Sequence, residues 1–144
     1  SFVALVSATR APGLESSSTS QKIPGCGLWP YPGYSPPTDD VAHDLNQGAR
    51  ETGRDAFAAF LARMDRSYRE QLRDVVVMAS PDGARAAAEY VVDGEYLIAD
   101  AGLPPAHGQR YVLPCGAFFD ITEGRIARVT NYYNLQDWLR QVGG

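Results

Sequence analysis

Between residues 72 and 134 four apolar stretches follow one another with only short turn signals between them, and that spacing excludes most architectures. The stretches cover residues 72–79, 85–98, 110–121 and 125–134. Ser80-Pro81-Asp82-Gly83 and Thr122-Glu123-Gly124 mark tight turns, and residues 100–108 form a Pro/Gly loop. A parallel crossover needs about a dozen residues, so these strands must pair mostly antiparallel. Gly94 marks a candidate bulge. Upstream, residues 41–45 read as a short strand. Thr52-Gly53-Arg54-Asp55 reads as a capping box. It opens a helix whose apolar stripe is Phe57, Phe60, Leu61, Met64 and Tyr68, ending near residues 65–68. Asn134 to Asp137 can cap a last short helix carrying Trp138, Leu139 and Val142. One helix followed by a meander of strands predicts an α+β fold. The long strands carry apolar residues on both faces, so one face should meet the helix and the other a second subunit.

The composition changes near residue 39. In residues 8–38, 15 of 31 positions are Ser, Pro or Gly, with six of the ten prolines, so neither helix nor central strand should run through them. Residues 26–34 nevertheless hold three aromatics, Trp29, Tyr31 and Tyr34, which suits docking on the domain or on a partner as well as a tail. With 13 basic against 17 acidic residues, a net charge of -4 and a pI near 5.1, the surface suits no nucleic acid. No apolar run approaches the roughly 20 residues of a membrane span, and residues 1–7 lack the basic start of a secretory signal. Cys26 and Cys115 form no CxxC and read as reduced thiols of a cytoplasmic protein, a disulfide between them remaining open. His43 and His107 have no ligand spacing, so no metal is expected. No phosphate-cradling or nucleophile-elbow motif is present, and no cofactor is implied.

The run Val41-Ala42-His43-Asp44-Leu45-Asn46-Gln47-Gly48, then Gly53 and Phe57-Ala58-Ala59-Phe60, resembles the SnoaL-like and ketosteroid-isomerase-like branch of the NTF2-like superfamily. Gly102-Leu103-Pro104-Pro105, Tyr111-Val112-Leu113-Pro114, Ala117-Phe118-Phe119-Asp120-Ile121, Glu123-Gly124-Arg125-Ile126 and Asn131-Tyr132-Tyr133-Asn134 extend the likeness. The resemblance implies an NTF2-like cone: a strongly curved, mostly antiparallel sheet wrapped around helices, with an apolar pocket and a homodimer formed through the sheet. Residues 39–144 would be the domain and 8–38 an insertion. Residues 1–7 would be the end of a preceding helix.

By the same resemblance Asp44 stands at the general-base position, where apolar walls would raise its pKa. Binding backbone NH groups at the turn is the structural alternative. His43 should point the opposite way along a strand. An oxyanion hole of a Tyr and a protonated Asp completes the isomerase. Its Tyr belongs to a first helix without counterpart here, and gap-free alignment from the Glu123-Gly124-Arg125 turn puts Gly116 at the acidic position, with Leu61 at a supporting Tyr. Asp120 falls at a strand end. The same alignment turns Ala127, Val129, Asn131 and Tyr133 inward, with Phe118 and with Ala88, Tyr90 and Val92. Arg128, Thr130 and Tyr132 turn out, which leaves a water-holding trio of Asp44, Arg128 and Asp120 with its arginine misdirected. Phe57, Phe60, Leu61 and Met64 would close the base. Such a pocket, with Asp44, Asn131, Tyr90 and Tyr133 as its polar handles, suits an apolar small molecule with one or two oxygens. The lead expectation is an isomerase-, lyase- or cyclase-like enzyme working through Asp44. A non-catalytic binder of such a ligand, and an interaction module whose pocket is filled by residues 26–34, are the alternatives.

Overall fold

The computed structural model describes residues 35–143. The expectations for residues 1–34, including the preceding helix, most of the insertion, the aromatic segment and Cys26, lie outside the described residues. Two helices and six strands follow in order: β1 (Ala42–Asp44), β2 (Arg50–Thr52), α1 (Arg54–Ser67), β3 (Tyr68–Ala79), β4 (Arg85–Tyr96), β5 (Gln109–Thr122), β6 (Arg125–Tyr133) and α2 (Leu135–Val142). Among the described residues the strands form one mixed sheet in the order β2-β1-β6-β5-β4-β3, with β2 and β3 at its edges. Only β1 and β6 run parallel. No helix among the described residues is long and apolar enough to cross a membrane.

The predicted elements form, and their ends show why. Asp82 accepts hydrogen bonds from the Ser80 hydroxyl (2.7 Å) and the Ala84 amide (3.0 Å), closing the β3–β4 turn. Glu123 and Gly124 take positive φ (52° and 72°) at the two central positions of the β5–β6 turn, the geometry that matches strand twist. Asn134 caps α2 by accepting from the Asp137 amide at 3.1 Å. The expected capping box does not form. Gly53 is the cap of α1, at φ 102°, and no side chain closes that end. The strand β2 was not foreseen, because three residues without an apolar pattern carry no periodic signal.

The register arranges the concave face of the sheet in rows. Leu72, Val92 and Leu113 stand side by side on β3, β4 and β5. Tyr90, Cys115 and Tyr133 form the next row on β4, β5 and β6. Phe57 and Leu61 of α1 are buried against Val41, Val129 and Phe119 and make the core at one end. At the other end Trp138 of α2 packs edge-on against Tyr68, Tyr96 and Tyr111, with ring centroids 5.1–6.2 Å apart. Between these two packed ends the helix and the sheet enclose a space lined by residues of both.

Two expectations about strand faces are corrected. Asp120 pairs with Arg128 but Ile121 pairs with Ile126, so Ala127 is an extra residue in β6. That shift puts Phe119, not Phe118, opposite Val129. Phe119 is fully buried, whereas Phe118 is 42% exposed on the outer face beside Tyr132. Gly94 is not a bulge: β4 runs through it in register with Glu70 and Tyr111.

Candidate active site

The gap between helix and sheet is a cavity of about 430 Å³. Phe60, Met64, Tyr90, Asn131 and Tyr133, all expected to meet a ligand, line it. Tyr68 and Trp138, expected as packing residues, line it as well. Phe57 and Val129 are fully buried in the core beyond it, and Phe118 is outside. Val92, Leu113, Leu72 and Leu103 complete apolar walls.

Asp44 is at the rim, and its carboxylate belongs to another system. It accepts from Arg50 Nε (2.5 Å) and Nη2 (3.1 Å) and from the Thr130 hydroxyl (2.8 Å), with Arg128 3.5 Å away. Arg128 also donates to Thr130 and makes a two-pronged pair with Asp120 at 2.8 and 3.0 Å. Arg128 and Thr130 lie on the opposite face of β6 from Asn131, which meets Tyr90 in the cavity. Asp44 still lines the cavity, but its carboxylate is turned to Arg50, Thr130 and Arg128. The Arg50 hydrogen bonds, then Thr130 and the charge of Arg128, hold its pKa down at about 2. A carboxylate stabilised in this way is a weak proton acceptor near neutral pH.

The alternation that turns Asp44 outward turns His43 inward. His43 is 2% exposed, lines the cavity, and lies edge-on to Phe57 and Phe60 at 5.3 and 4.3 Å. Glu51 stands directly across from it on β2, with Oε2 3.6 Å from His43 Nδ1. Both atoms are buried and neither has another hydrogen-bond partner among the described residues. Burial lowers the His43 pKa, and Glu51 partly opposes this. The imidazole is consequently neutral near pH 7. A proton on Nδ1, facing Glu51, leaves the Nε2 lone pair as the free acceptor.

Other polar groups punctuate the walls. The Tyr90 hydroxyl donates to Asn131 Oδ1 at 2.7 Å, which leaves the Asn131 amide NH2 as a donor. The Tyr111 hydroxyl donates to Glu70 Oε1 at 2.6 Å. The Tyr68 hydroxyl donates to Asp100 at 3.3 Å, and Arg63 lies 3.5 Å from the same carboxylate. Burial pushes the Tyr68, Tyr90, Tyr111 and Tyr133 hydroxyls above the ordinary phenol range and the Cys115 thiol up to about 12, so all five stay protonated. At the mouth, Asn46 donates to the Tyr133 carbonyl (3.0 Å) and accepts from the Tyr133 amide (3.1 Å). Its side-chain amide thus continues the β1–β6 ladder beyond the end of β1.

Sequence reasoning passed over His43, Glu51 and Glu70. The β1 alternation held the signal for His43. Glu70 could be read from its phase between Tyr68 and Leu72, with Arg69, Gln71 and Arg73 on the other face. Glu51 had no such signal, since only the hairpin brings it to His43.

Residues 38–129 match the SnoaL-like domain. No curated protein sequence matches the chain. Among solved structures, a provisionally named polyketide cyclase from Pseudomonas putida KT2440 is 61% identical, with a TM-score of 0.73 over 74% of this chain and 80% of that one. A second, provisionally so named, from Xanthomonas campestris pv. campestris is 66% identical, with a TM-score of 0.69 over 72% and 77%. An NTF2-like protein from Burkholderia xenovorans LB400, 11% identical with a TM-score of 0.59 over 74% and 78%, shares the fold. The family match over most of the domain, and two structures of high identity over more than two thirds of both chains, lead to one conclusion: the chain belongs to the SnoaL-like family, with the fold it shares with the NTF2-like protein.

Proposed function

We propose that this protein is a proton-transfer enzyme of the cyclase and isomerase kind, which enolises an apolar, oxygen-bearing ketone with His43 as the base. The observation that carries the reading is the buried His43, which lines the apolar-walled cavity with Glu51 Oε2 facing its Nδ1 from behind. A neutral imidazole near its working pH accepts a carbon-bound proton better than the ionised Asp44 can. As it gains that proton the imidazolium draws Glu51 from 3.6 Å into hydrogen-bond range, because apo geometry tightens as charge develops. The Asn131 amide and the Tyr133 hydroxyl supply donors for the substrate oxygens. The polyketide-cyclase names of the two highly identical relatives support the same class of chemistry.

The test is α-proton exchange of 1-tetralone in D2O, followed by proton NMR. The intact protein should accelerate exchange, with the rate falling only as pH drops below the ordinary histidine value near 6.5. His43→Gln should abolish the acceleration and Asp44→Asn should leave most of it. Exchange lost in Asp44→Asn and kept in His43→Gln would return the role to Asp44. Binding of tetralone without any exchange would favour a ligand carrier. We also propose that two copies pair through the outer sheet face, where Phe118 and Tyr132 are 42% and 55% exposed.

A further inference from the structure

Glu70 is out of place by every rule that decides which strand residues face inward. On β3 the residues Arg69, Gln71 and Arg73 point away from the cavity, while Tyr68, Glu70 and Leu72 line it. An edge strand could have sent a carboxylate into water at no cost, yet this one is turned into apolar surroundings, where an ionisable group is expensive.

The sheet is built to hold it there. Glu70, Gly94 and Tyr111 are in register across β3, β4 and β5. The Tyr111 ring crosses Gly94, and its hydroxyl reaches Glu70 Oε1 two strands away at 2.6 Å. A Cβ at Gly94 would lie 2.5 Å from Tyr111 Cε2 and 2.6 Å from its oxygen, so the bridge exists because position 94 has no side chain. Tyr111 is 2% exposed and fixed from behind by Trp138. A buried tyrosine hydroxyl alone does not require this arrangement, since a backbone carbonyl would accept its proton without an ionisable partner, as the Pro104 carbonyl does for Tyr96.

We propose that Glu70 binds the substrate carbonyl, with Oε1 held by Tyr111 and with Oε2 presenting an O–H to the carbonyl oxygen. This rests on the enolisation reading. His43 takes the α-proton, the C–H electron pair becomes the C=C bond, and the carbonyl oxygen gains negative charge against the Oε2–H donor. The proton stays on Glu70 and is shared, then His43 returns its proton to carbon. Burial among apolar walls favours the protonated form of Glu70. Burial raises the Glu70 pKa and the charge of Asp65 adds to it, against the Tyr111 hydrogen bond that lowers it. Among the described residues, Cys115, Tyr90 and Tyr133 also sense it and are uncharged. No arginine or lysine among the described residues forms an ion pair with it. The assignment selects a ketone or enol whose oxygen reaches the far row of the cavity.

The experiment is infrared difference spectroscopy of carbonyl-13C 1-tetralone bound to the full chain, run beside the exchange assay. In the intact protein the bound carbonyl band should shift to lower frequency than in hexane. Glu70→Gln, which keeps the shape and offers a weaker donor, should lose about half the shift and slow exchange about 10-fold. Tyr111→Phe should lose part of the shift with unchanged binding stoichiometry. Glu70→Leu should abolish the shift and slow exchange about 100-fold, the scale of one lost oxyanion donor. A carbonyl band unaffected by Glu70→Gln and Glu70→Leu overturns the proposal, as does failure of tetralone to bind. A band that responds to Glu70 while His43→Gln leaves exchange intact would keep the carbonyl assignment and remove the base, so the two readings fail separately.

Discussion

Gly94→Ala adds one methyl group and should cost far more than a methyl usually does. The new Cβ would sit within 2.6 Å of three atoms of the Tyr111 ring and hydroxyl, where ordinary contact begins near 3.4 Å. The backbone of a central strand cannot retreat, because β4 is paired on both sides at Gly94 and at its neighbours Asp93 and Glu95. The ring must therefore swing away from a site in which it is 2% exposed. Overpacking of this kind costs about 1–3 kcal/mol. Separating the Tyr111 hydroxyl from Glu70 leaves a buried donor unpaired, for about 1–3 kcal/mol more. A total near 3 kcal/mol should lower Tm by roughly 10 °C for a domain of this size. Gly116→Ala is the control. It is in the neighbouring strand β5, its nearest new neighbour is the Ala88 carbonyl at 3.7 Å, and it should be neutral or slightly stabilising. Urea denaturation of both variants measures the difference. The double variant Gly94→Ala with Tyr111→Ala isolates the cause: once the ring is gone, alanine at 94 should cost almost nothing. Equal stability of the two glycine variants, or strict additivity in the double variant, would refute the reasoning.

Asp44→Asn should cost about 1 kcal/mol at pH 7, after solvent screening of an ion pair whose Arg50 side is 57% exposed. Because the folded pKa of about 2 lies below the unfolded value near 3.9, that contribution is complete above about pH 4. It disappears as pH falls toward 2, and acid titration of stability should show the two curves merging there. Cys115, with its thiol pushed up to about 12, should react with iodoacetamide at pH 8 far more slowly in the folded protein than in urea. This is measured by mass spectrometry in a Cys26→Ser background. Phe118→Asp should shift the sedimentation of the protein toward the monomer while leaving its circular dichroism unchanged. An unchanged sedimentation coefficient would count against pairing through the outer face.

The elements were legible because their punctuation is local. Asp82, Gly83, Glu123, Gly124 and Asn134 each act within a few residues of themselves, and the α1 stripe repeats every turn. The faces of the strands were less legible. Phe118 and Phe119 are adjacent aromatics, and the extra Ala127 on the partner strand decides which of them turns inward. Nothing in the composition of Arg125 to Asn131 announces that extra residue. The cavity walls at Phe60 and Met64 could be read from helical phase, and those at Tyr90, Asn131 and Tyr133 from the alignment that the family resemblance supplies. The charged groups could not, because the environment of each comes from another element. Asp44 is claimed by Arg50 and Arg128, His43 meets Glu51 across a hairpin, and Glu70 is reached by a tyrosine from two strands away.

The rows on the concave face give the cavity something like a coordinate system. A row fixes depth and a strand fixes azimuth, so each wall residue has an address. Exchanging residues along Leu72, Val92 and Leu113 would change the bore at one depth and leave the Tyr90, Cys115 and Tyr133 level untouched. Relatives of this chain can therefore drift toward longer, shorter or wider substrates one level at a time, without disturbing His43 on its separate strand.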